Sequence, residues 1–461
     1  MIEASVLDVI QVCGGALRSG SESIIFKGIS TDSRKTEPGQ IFFALRGEYF
    51  DGHDYAAAAL RSGASAVVVS KDDYDLLSSG TPVIKVQDTL VALQVLSSWW
   101  RKQFDIPVVA VTGSTGKTTT KDILGCVLEV LGPVCMTRDN LNNEIGVPLT
   151  LLGLGPQHRA CVVEMAMRGL GEIAQLSALA LPDIGIITNV GCAHFERLGS
   201  QKNIAVAKGE LAASVPRNGL VLLNAEDNWS SFISELTSAR VNYFGLGKRA
   251  HVRAVSLRET GDVSSFILEV PGSSVPIDLS LAGRHNVYNF LAAAGAAHNL
   301  GVSVEQIHQK VPGLCVTGMR LQKIPGINGS IIINDTYNAN PDSMMASLQV
   351  LQNASASRKI ACLGGMFELG EVSEEGHTRV GEKAASVGLD ALITVGDLAK
   401  TIGSTAARAG MPDDRIHDTA GTGEAISLLK EMLFTGDILL VKGSRGMAME
   451  KIVEELAENR G

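Results

Sequence analysis

VVAVTGSTGKTTTKD, residues 108–122, is the stretch on which the reading of the whole chain turns. Its first four residues are small and apolar, as in a strand buried on both faces. Gly113 and Gly116 punctuate the turn that follows, and Lys117 and Thr118 open a segment able to continue as a helix. This is the strand–loop–helix of a phosphate-binding P-loop. The glycines let backbone N–H groups of Gly113, Ser114, Thr115, Gly116 and Thr119 turn inward with no Cβ in the way. The helix N-terminus adds positive potential, Lys117 brings a point charge to the β/γ-phosphates, and the Thr118 hydroxyl can ligate Mg²⁺. A glycine turn before an ordinary helix would share the letters, but here the strand before and the helix after both fit the P-loop. The spacing departs in one place: Val111 stands where the longer motif has a glycine, leaving G-x-x-G-K-T.

Around that loop lie 461 residues, too many for one core and enough for two to four domains. A composition of 45% hydrophobic and 19% charged residues suits a well-packed α/β protein. Net charge of −9 argues against general nucleic-acid binding, which needs a basic footprint. Seven scattered cysteines with no C-x-x-C predict reduced thiols. The N-terminus has no basic leader and no apolar run reaches spanning length, so the expectation is a cytoplasmic protein without membrane insertion.

In chain order, residues 1–105 predict a small α/β unit, with an amphipathic helix at ASVLDVIQVC, strands at IFFAL and ASAVVVS, and a helix from Leu90 to Phe104. Its loops STDSR and RGEYFDGHD collect hydroxyls, arginines and glycines, which suits either a ligand loop or a solvated one. Residues 106–314 predict a parallel sheet whose strands end in polar groups. ACVVE ends in Glu164, IGIITN ends in Asn189, and His194 follows five residues on. Ligands of such sheets sit beyond the carboxyl ends of the strands, so Lys117, Glu164, Asn189 and His194 should converge. Glu164 suits an acidic metal ligand and His194 a second one. Lys208 falls in a helix among alanines, where a solvated charge is the ordinary reading. Asn286 and Asn289 share one face of a helix, and their amides suit an adenine edge or a cap equally. Residues 315–461 predict a Rossmann-like parallel sheet from SIIIND, KIACLGG, ALITVG and DILLVKGS, without the G-x-G-x-x-G of a dinucleotide site. Lys442 and Arg445 are expected exposed at the tip of its last strand.

GSTGKTTTKD, TNVGCAH, GRHNVYN and NDTYNANPDS, in this order, resemble the Mur ligases of peptidoglycan synthesis over essentially the whole chain. The shortened P-loop is also typical of ligases that activate carboxylates with ATP. DSRKTEPGQIFFALRGEYFDGHDY, NLNNEIGVP and VKGSRGMAME add to the likeness, and NANPDS stands where relatives that add diaminopimelate carry D-N-P-R. Gly365, Gly446 and the TGMRLQ order depart from the common pattern. The resemblance implies three α/β domains: a UDP-substrate unit (1–105), a central ATP-binding domain (106–314) and a C-terminal Rossmann-like domain (315–461). It implies ATP, Mg²⁺ and a carbamylated lysine at Lys208 as cofactors, with catalytic roles for Lys117, Glu164, His194 and Lys208. Thr118, Glu164, His194 and Lys208 would hold metal, while Asn289, Arg320, Asp335 and Tyr337 would complete the nucleotide site. Ser33, Arg34, Arg46, Asn142, Asn143, Arg168 and Asn189 would meet substrate. The implied reaction of this monomer joins D-alanyl-D-alanine to a UDP-N-acetylmuramoyl tripeptide.

Overall fold

The computed structural model describes residues 1–71 and 80–458. Its largest sheet orders nine strands as Ser273–Leu279, Val263–Val270, Val252–Thr260, Arg240–Gly245, Leu220–Asn224, Ile184–Ile187, Val108–Thr112, Ala160–Glu164 and Val134–Met136. The pairs from Arg240–Gly245 and Val252–Thr260 through to Val134–Met136 are parallel, and the two strands at the far edge run antiparallel. Side chains of Val108–Thr112 alternate between the two faces with the strand's period of two. Val109 and Val111 join the cluster under helices Lys117–Leu128 and Arg284–Asn299. Val108 and Ala110 join the cluster under helix Gln201–Ser214. All four are fully buried, which is why the run carries no polar residue.

The strand order reverses around Val108–Thr112. The chain leaves it for the outer strand Val134–Met136, returns beside it as Ala160–Glu164, then crosses to its other flank as Ile184–Ile187. Glu164 pairs in register with Val111, and Ile187 with Thr112, so three strands end level at this switch point. The expected convergence of strand tips is therefore present in the sheet itself.

Two smaller parallel-rich sheets flank this one. The N-terminal sheet orders Ala16–Ser19, Val83–Lys85, Ala66–Val69, Ile41–Phe43 and Ile29–Ser30. It is tied to the large sheet's layer by Ile2 N–H donating to Leu152 O at 2.7 Å and by the N-terminal ammonium on Gly153 O and Leu154 O. The C-terminal sheet orders Gln322–Pro325, Ile331–Asn334, Asp437–Lys442, Arg358–Gly364, Ala391–Val395 and Ile416–Thr419. Its last strand in sequence lies between the first two parallel ones, which sets the tips of Ile331–Asn334 and Asp437–Lys442 side by side.

Candidate active site

The loop after Val108–Thr112 is held from outside by the neighbouring strand tip. Thr188 Oγ1 donates to Thr115 O at 2.5 Å, and Asn189 grips Thr115 three times, accepting from its N–H at 3.0 Å and donating to its Oγ1 at 2.8 Å and its O at 3.2 Å. Both glycines are required. Gly113 and Gly116 adopt φ of 152° and 80°, and a Cβ at either would come within 1.8 Å of Thr188 Oγ1 or 2.2 Å of Asn289 Oδ1. Lys117 curls back so that Nζ donates to Gly113 O at 2.8 Å. Burial pushes this ammonium's pKa down, Glu164 works against that shift, and Arg320 adds to it.

Glu164 is 2% exposed. One carboxylate oxygen, Oε1, accepts from Asn142 Nδ2 at 2.8 Å, and the other, Oε2, is buried without a hydrogen-bond partner. A buried carboxylate oxygen left unpaired costs a few kcal/mol, so it marks a place where a cation is expected. His194 lines the same cavity and sits at φ 64°, with Nδ1 2.7 Å from Glu368 Oε2. Lys208 is buried, and among the described residues no hydrogen bond or ion pair meets its ammonium. Burial lowers its pKa well below the usual lysine range, and the charge of Lys117 adds to the effect.

The segment leading into the C-terminal sheet closes over the loop. Arg320 Nη2 donates to Thr118 Oγ1 at 3.0 Å while its guanidinium stacks 4.2 Å from the centre of the Tyr337 ring. Three residues earlier, Thr317 donates through both N–H and Oγ1 to Asp122 Oδ2, each at 2.8 Å. Thr118 and Asp122 lie one helical turn apart, so the linker is fastened along one face of the P-loop helix. Asp335 takes part through a buried ion pair with Lys442, 2.6 Å apart. This corrects the expectation of an exposed Lys442: its side chain is 3% exposed because the two strand tips are adjacent, and its ammonium also donates to Asn338 O at 3.0 Å. Arg445 is exposed as expected.

A cavity of about 430 Å³ runs through this assembly. It brings together Ser114 to Thr119, Asn142, Glu164, Asn189, His194, Asn289, Arg320, Asp335 and Tyr337. Two of the asparagines are already engaged. Asn189 is spent on Thr115, and Asn289 donates to Asn286 Oδ1 at 3.1 Å and accepts from Thr120 Oγ1 at 3.4 Å, packed against Gly116. Lys208 is not part of the lining, although the charge of Lys117 reaches it. Ser33, Arg34, Arg46, Asn143 and Arg168 are not brought to the cavity. Asn143 Oδ1 instead accepts from Gly146 N–H at 2.9 Å at the start of helix Gly146–Leu152, and exposed Arg168 offers its backbone N–H to Glu172. Arg34 forks onto Asp32, whose carboxyl it holds down at about 2, in the loops of the N-terminal sheet. The backbone of Arg46 forms an isolated antiparallel β-bridge with that of Asp51 in the same region.

Sequence reasoning passed over His285 and Glu368. His285 lines the cavity, and burial pushes its pKa down to about 4. It stood in GRHNVYN between residues already singled out, and an imidazole beside two asparagines was the available signal. Glu368 opens ELGEVSEEGH, a stretch that itself resembles the family pattern, but its proximity to His194, 174 residues away in sequence, left no local signal.

A P-loop at the switch point of a parallel sheet, a cation-seeking carboxylate beside it and a second α/β layer closing on the same cavity define a nucleotide-dependent enzyme of the Mur ligase type. Three family models match in order: "Mur ligase family, catalytic domain" over residues 25–101, "Mur ligase middle domain" over 111–297 and "Mur ligase, glutamate ligase domain" over 319–445. The UDP-N-acetylmuramoyl-tripeptide–D-alanyl-D-alanine ligase of Escherichia coli K12 is 36% identical across 100% of this chain and 99% of its own length. The chain belongs to the Mur ligase family. Among solved structures, MurF from Acinetobacter baumannii superposes with a TM-score of 0.90 at 32% identity, covering 99% of both chains. MurF ligase from Thermotoga maritima, in complex with ADP, superposes at 0.81 with 27% identity over 93% of this chain and 96% of that one.

Proposed function

We propose that this protein uses ATP to join D-alanyl-D-alanine to the terminal carboxylate of a UDP-N-acetylmuramoyl tripeptide, a step of peptidoglycan precursor synthesis. The observation that carries the reading is full-length similarity to ligases of that name together with a P-loop whose lysine faces a cavity shared by three strand tips and a second domain. The tripeptide carboxylate attacks the γ-phosphorus of ATP, ADP leaves, and an acyl phosphate forms. The amine of D-alanyl-D-alanine attacks that carbonyl, and phosphate departs as the amide closes. Both anions must approach one another, so positive charge has to stand between them. Lys117 supplies one such charge, and its hold on Gly113 O is the contact it would exchange for phosphate. Arg320, Asp335 and Tyr337 arrive from the third domain, so nucleotide held between the two domains draws them together and excludes water from a labile intermediate.

The donor set suits Mg²⁺. Glu164 Oε2 lacks a partner, and Thr118 Oγ1 is a hard oxygen ligand one turn from the loop. Among the described residues no cluster of three or more His, Cys, Asp or Glu forms, so in this reading substrate phosphates would complete the shell. When bound, Mg²⁺ would neutralise phosphate charge; His194 and Lys208 are the further candidate holders. Lys208 is suited to carbamylation because burial favours its neutral, nucleophilic amine.

We assign uridine-nucleotide recognition to residues 1–105, with Ser33, Arg34 and Arg46, and nucleotide closure to residues 315–461. Asn142, Asn143, Arg168 and Asn189 are the remaining substrate candidates, and Asn289 the adenine candidate. Among the described residues no helix is long and apolar enough to cross a membrane, and the reading includes a monomer working in the cytoplasm on small molecules. The test is mass analysis of product from ATP, D-alanyl-D-alanine and UDP-muramoyl tripeptides ending in lysine or diaminopimelate. Lys117→Ala should fold normally and form no product; near-normal product from that variant refutes the assignment.

A further inference from the structure

The chain between the central and third domains does not cross free from one to the other; it lies along the P-loop helix as a strap. Lys310 Nζ reaches Glu129 Oε2 at 3.0 Å, and Cys126 Sγ donates to Gly313 O at 3.8 Å. Thr317 follows on Asp122 and Arg320 on Thr118. Positions 118, 122, 126 and 129 recur every three or four residues, which is one face of a helix, and residues 320, 317, 313 and 310 run along it in the opposite direction. Leu314 and Val316 pack against the core of the central domain, while Cys315 between them is exposed. Beyond the strap, Met319 and Leu321 take φ of 60° and 53° on either side of Arg320, so the joint to the third domain is backbone held under strain.

All seven cysteines are free thiols. Cys126, on the helix, and Cys315, on the strap, both line a second cavity of about 690 Å³, with Asp122, Glu129 and Gly313 beside them. Consecutive Cα atoms are about 3.8 Å apart, so Cys315 Cα stands within roughly 7.6 Å of the Gly313 Cα whose carbonyl the Cys126 thiol meets. Among the described residues no hydrogen bond holds the backbone N–H of Cys315 or Val316, which leaves the strap slack enough for one thiol to close on the other. Burial pushes the Cys126 thiol up, Glu129 and the neighbouring Cys315 add to the rise, and Lys310 works against it. Exposed Cys315 is therefore the thiol that meets an oxidant first.

We infer that Cys315 and Cys126 are a site of reversible oxidation, which a hydroperoxide converts to a disulfide that clamps the strap to the P-loop helix. The Cys315 thiolate attacks the peroxide oxygen, the O–O bond breaks, and the departing oxygen takes a proton, leaving a sulfenic acid on Cys315. Cys126 sulfur attacks that sulfur, the S–S bond forms, the S–O bond breaks, and water leaves with the Cys126 proton. Two thiols lose two hydrogens and the hydroperoxide becomes an alcohol and water. Where thiols are kept reduced, such a bond is transient, as in redox sensing. The consequence for turnover rests on the ligase reading. Arg320, Asp335 and Tyr337 reach the cavity from beyond the clamp, so a strap fixed at Cys315 restrains the movement that brings them to the nucleotide and releases product.

The test uses the full-length protein treated with hydrogen peroxide, its remaining thiols blocked by iodoacetamide, and its peptides mapped by mass spectrometry. One linked pair should appear, joining the peptides of Cys126 and Cys315, and dithiothreitol should part it. Turnover is read from the product of ATP, D-alanyl-D-alanine and a UDP-muramoyl tripeptide. Oxidised wild type should lose about 10- to 100-fold in kcat, the cost of reacting groups held an ångström out of place, and dithiothreitol should restore it. Cys126→Ser and Cys315→Ser should keep the activity of reduced wild type and lose the reversible response to peroxide. A disulfide between any other cysteines, oxidation that stops at sulfinic or sulfonic acid, or a linked protein with kcat within twofold of the reduced one overturns the inference. Should Cys126→Ser fail to fold, Cys315→Ser carries the same comparison. Wild type that makes no ligation product would sink the ligase reading, while the peptide map still decides the disulfide.

Discussion

Replacing Lys442 with methionine removes the cation from a buried pair while keeping an unbranched side chain only one atom shorter. Lys442 Nζ and Asp335 Oδ2 are 2.6 Å apart, with the side chains 3% and 11% exposed. At an effective dielectric near 20, two unit charges at that separation attract by roughly 6 kcal/mol. Desolvating the two ions costs several kcal/mol each, so the intact pair is close to break-even. The single variant is a different matter. Asp335 would keep Ser347 Oγ at 2.5 Å and Leu321 N–H at 3.3 Å, but no cation would remain to offset its burial. Lys442→Met should therefore cost about 3–5 kcal/mol, the usual penalty for stranding one member of a buried pair. Asp335→Asn combined with Lys442→Met should return most of that loss, because a neutral amide can accept from Leu321 N–H through Oδ1 and donate through Nδ2 to Ser347 Oγ, whose own proton has Ser343 O as acceptor. Urea unfolding followed by circular dichroism gives the three free energies, and hydrogen exchange in Ile331–Asn334 locates the effect. A single variant within about 1 kcal/mol of wild type, or a double variant no better than the single, would refute the reasoning.

Asn142→Ala should leave Glu164 Oε1 without its side-chain donor and let the carboxylate swing. The expected result is a rise of about 10- to 100-fold in the Mg²⁺ concentration needed for half-maximal activity, measured by metal titration, and an unaltered requirement would exclude the role. A pH effect follows from His285, whose pKa is pushed from 6.5 down to about 4 by burial. The unfolded chain gains a proton on this ring below about 6.5 and the folded one only below about 4, so acidification through that window favours unfolding. Unfolding free energy should decline from pH 6.5 to 4, and His285→Gln should flatten that part of the profile; an identical slope in the variant counts against it.

How much was legible depended on how local the cause was. The strand of residues 108–111 and its glycine turn could be read directly, since periodicity, small residues and positive φ are local properties. Helix Val6–Cys13 was equally plain, with Ser5 and Asp8 forming a capping box and Gly14 in the left-handed region at its end. Lys442 was misjudged because exposure was inferred from a loop position. Its burial follows from the insertion of Asp437–Lys442 beside Ile331–Asn334, a pairing across a hundred residues that no window contains. Asn189 was read as a strand tip near the phosphate loop and Asn289 as an adenine contact or a cap, but that the first amide holds Thr115 and the second packs on Gly116 could be seen only in the folded chain.

By itself, the order of amino acids determined the phosphate loop, the alternation of strands and helices, and the family, because each is written in short-range spacing or in motifs that keep their order. Tertiary structure decided which side chains share the cavity: the level ending of three strands, the stranded oxygen of Glu164, and the meeting of His194 with Glu368. The physical reason is that burial and pairing are properties of space. A carboxylate's need for a cation depends on what surrounds it, and those surroundings are assembled from segments far apart along the chain.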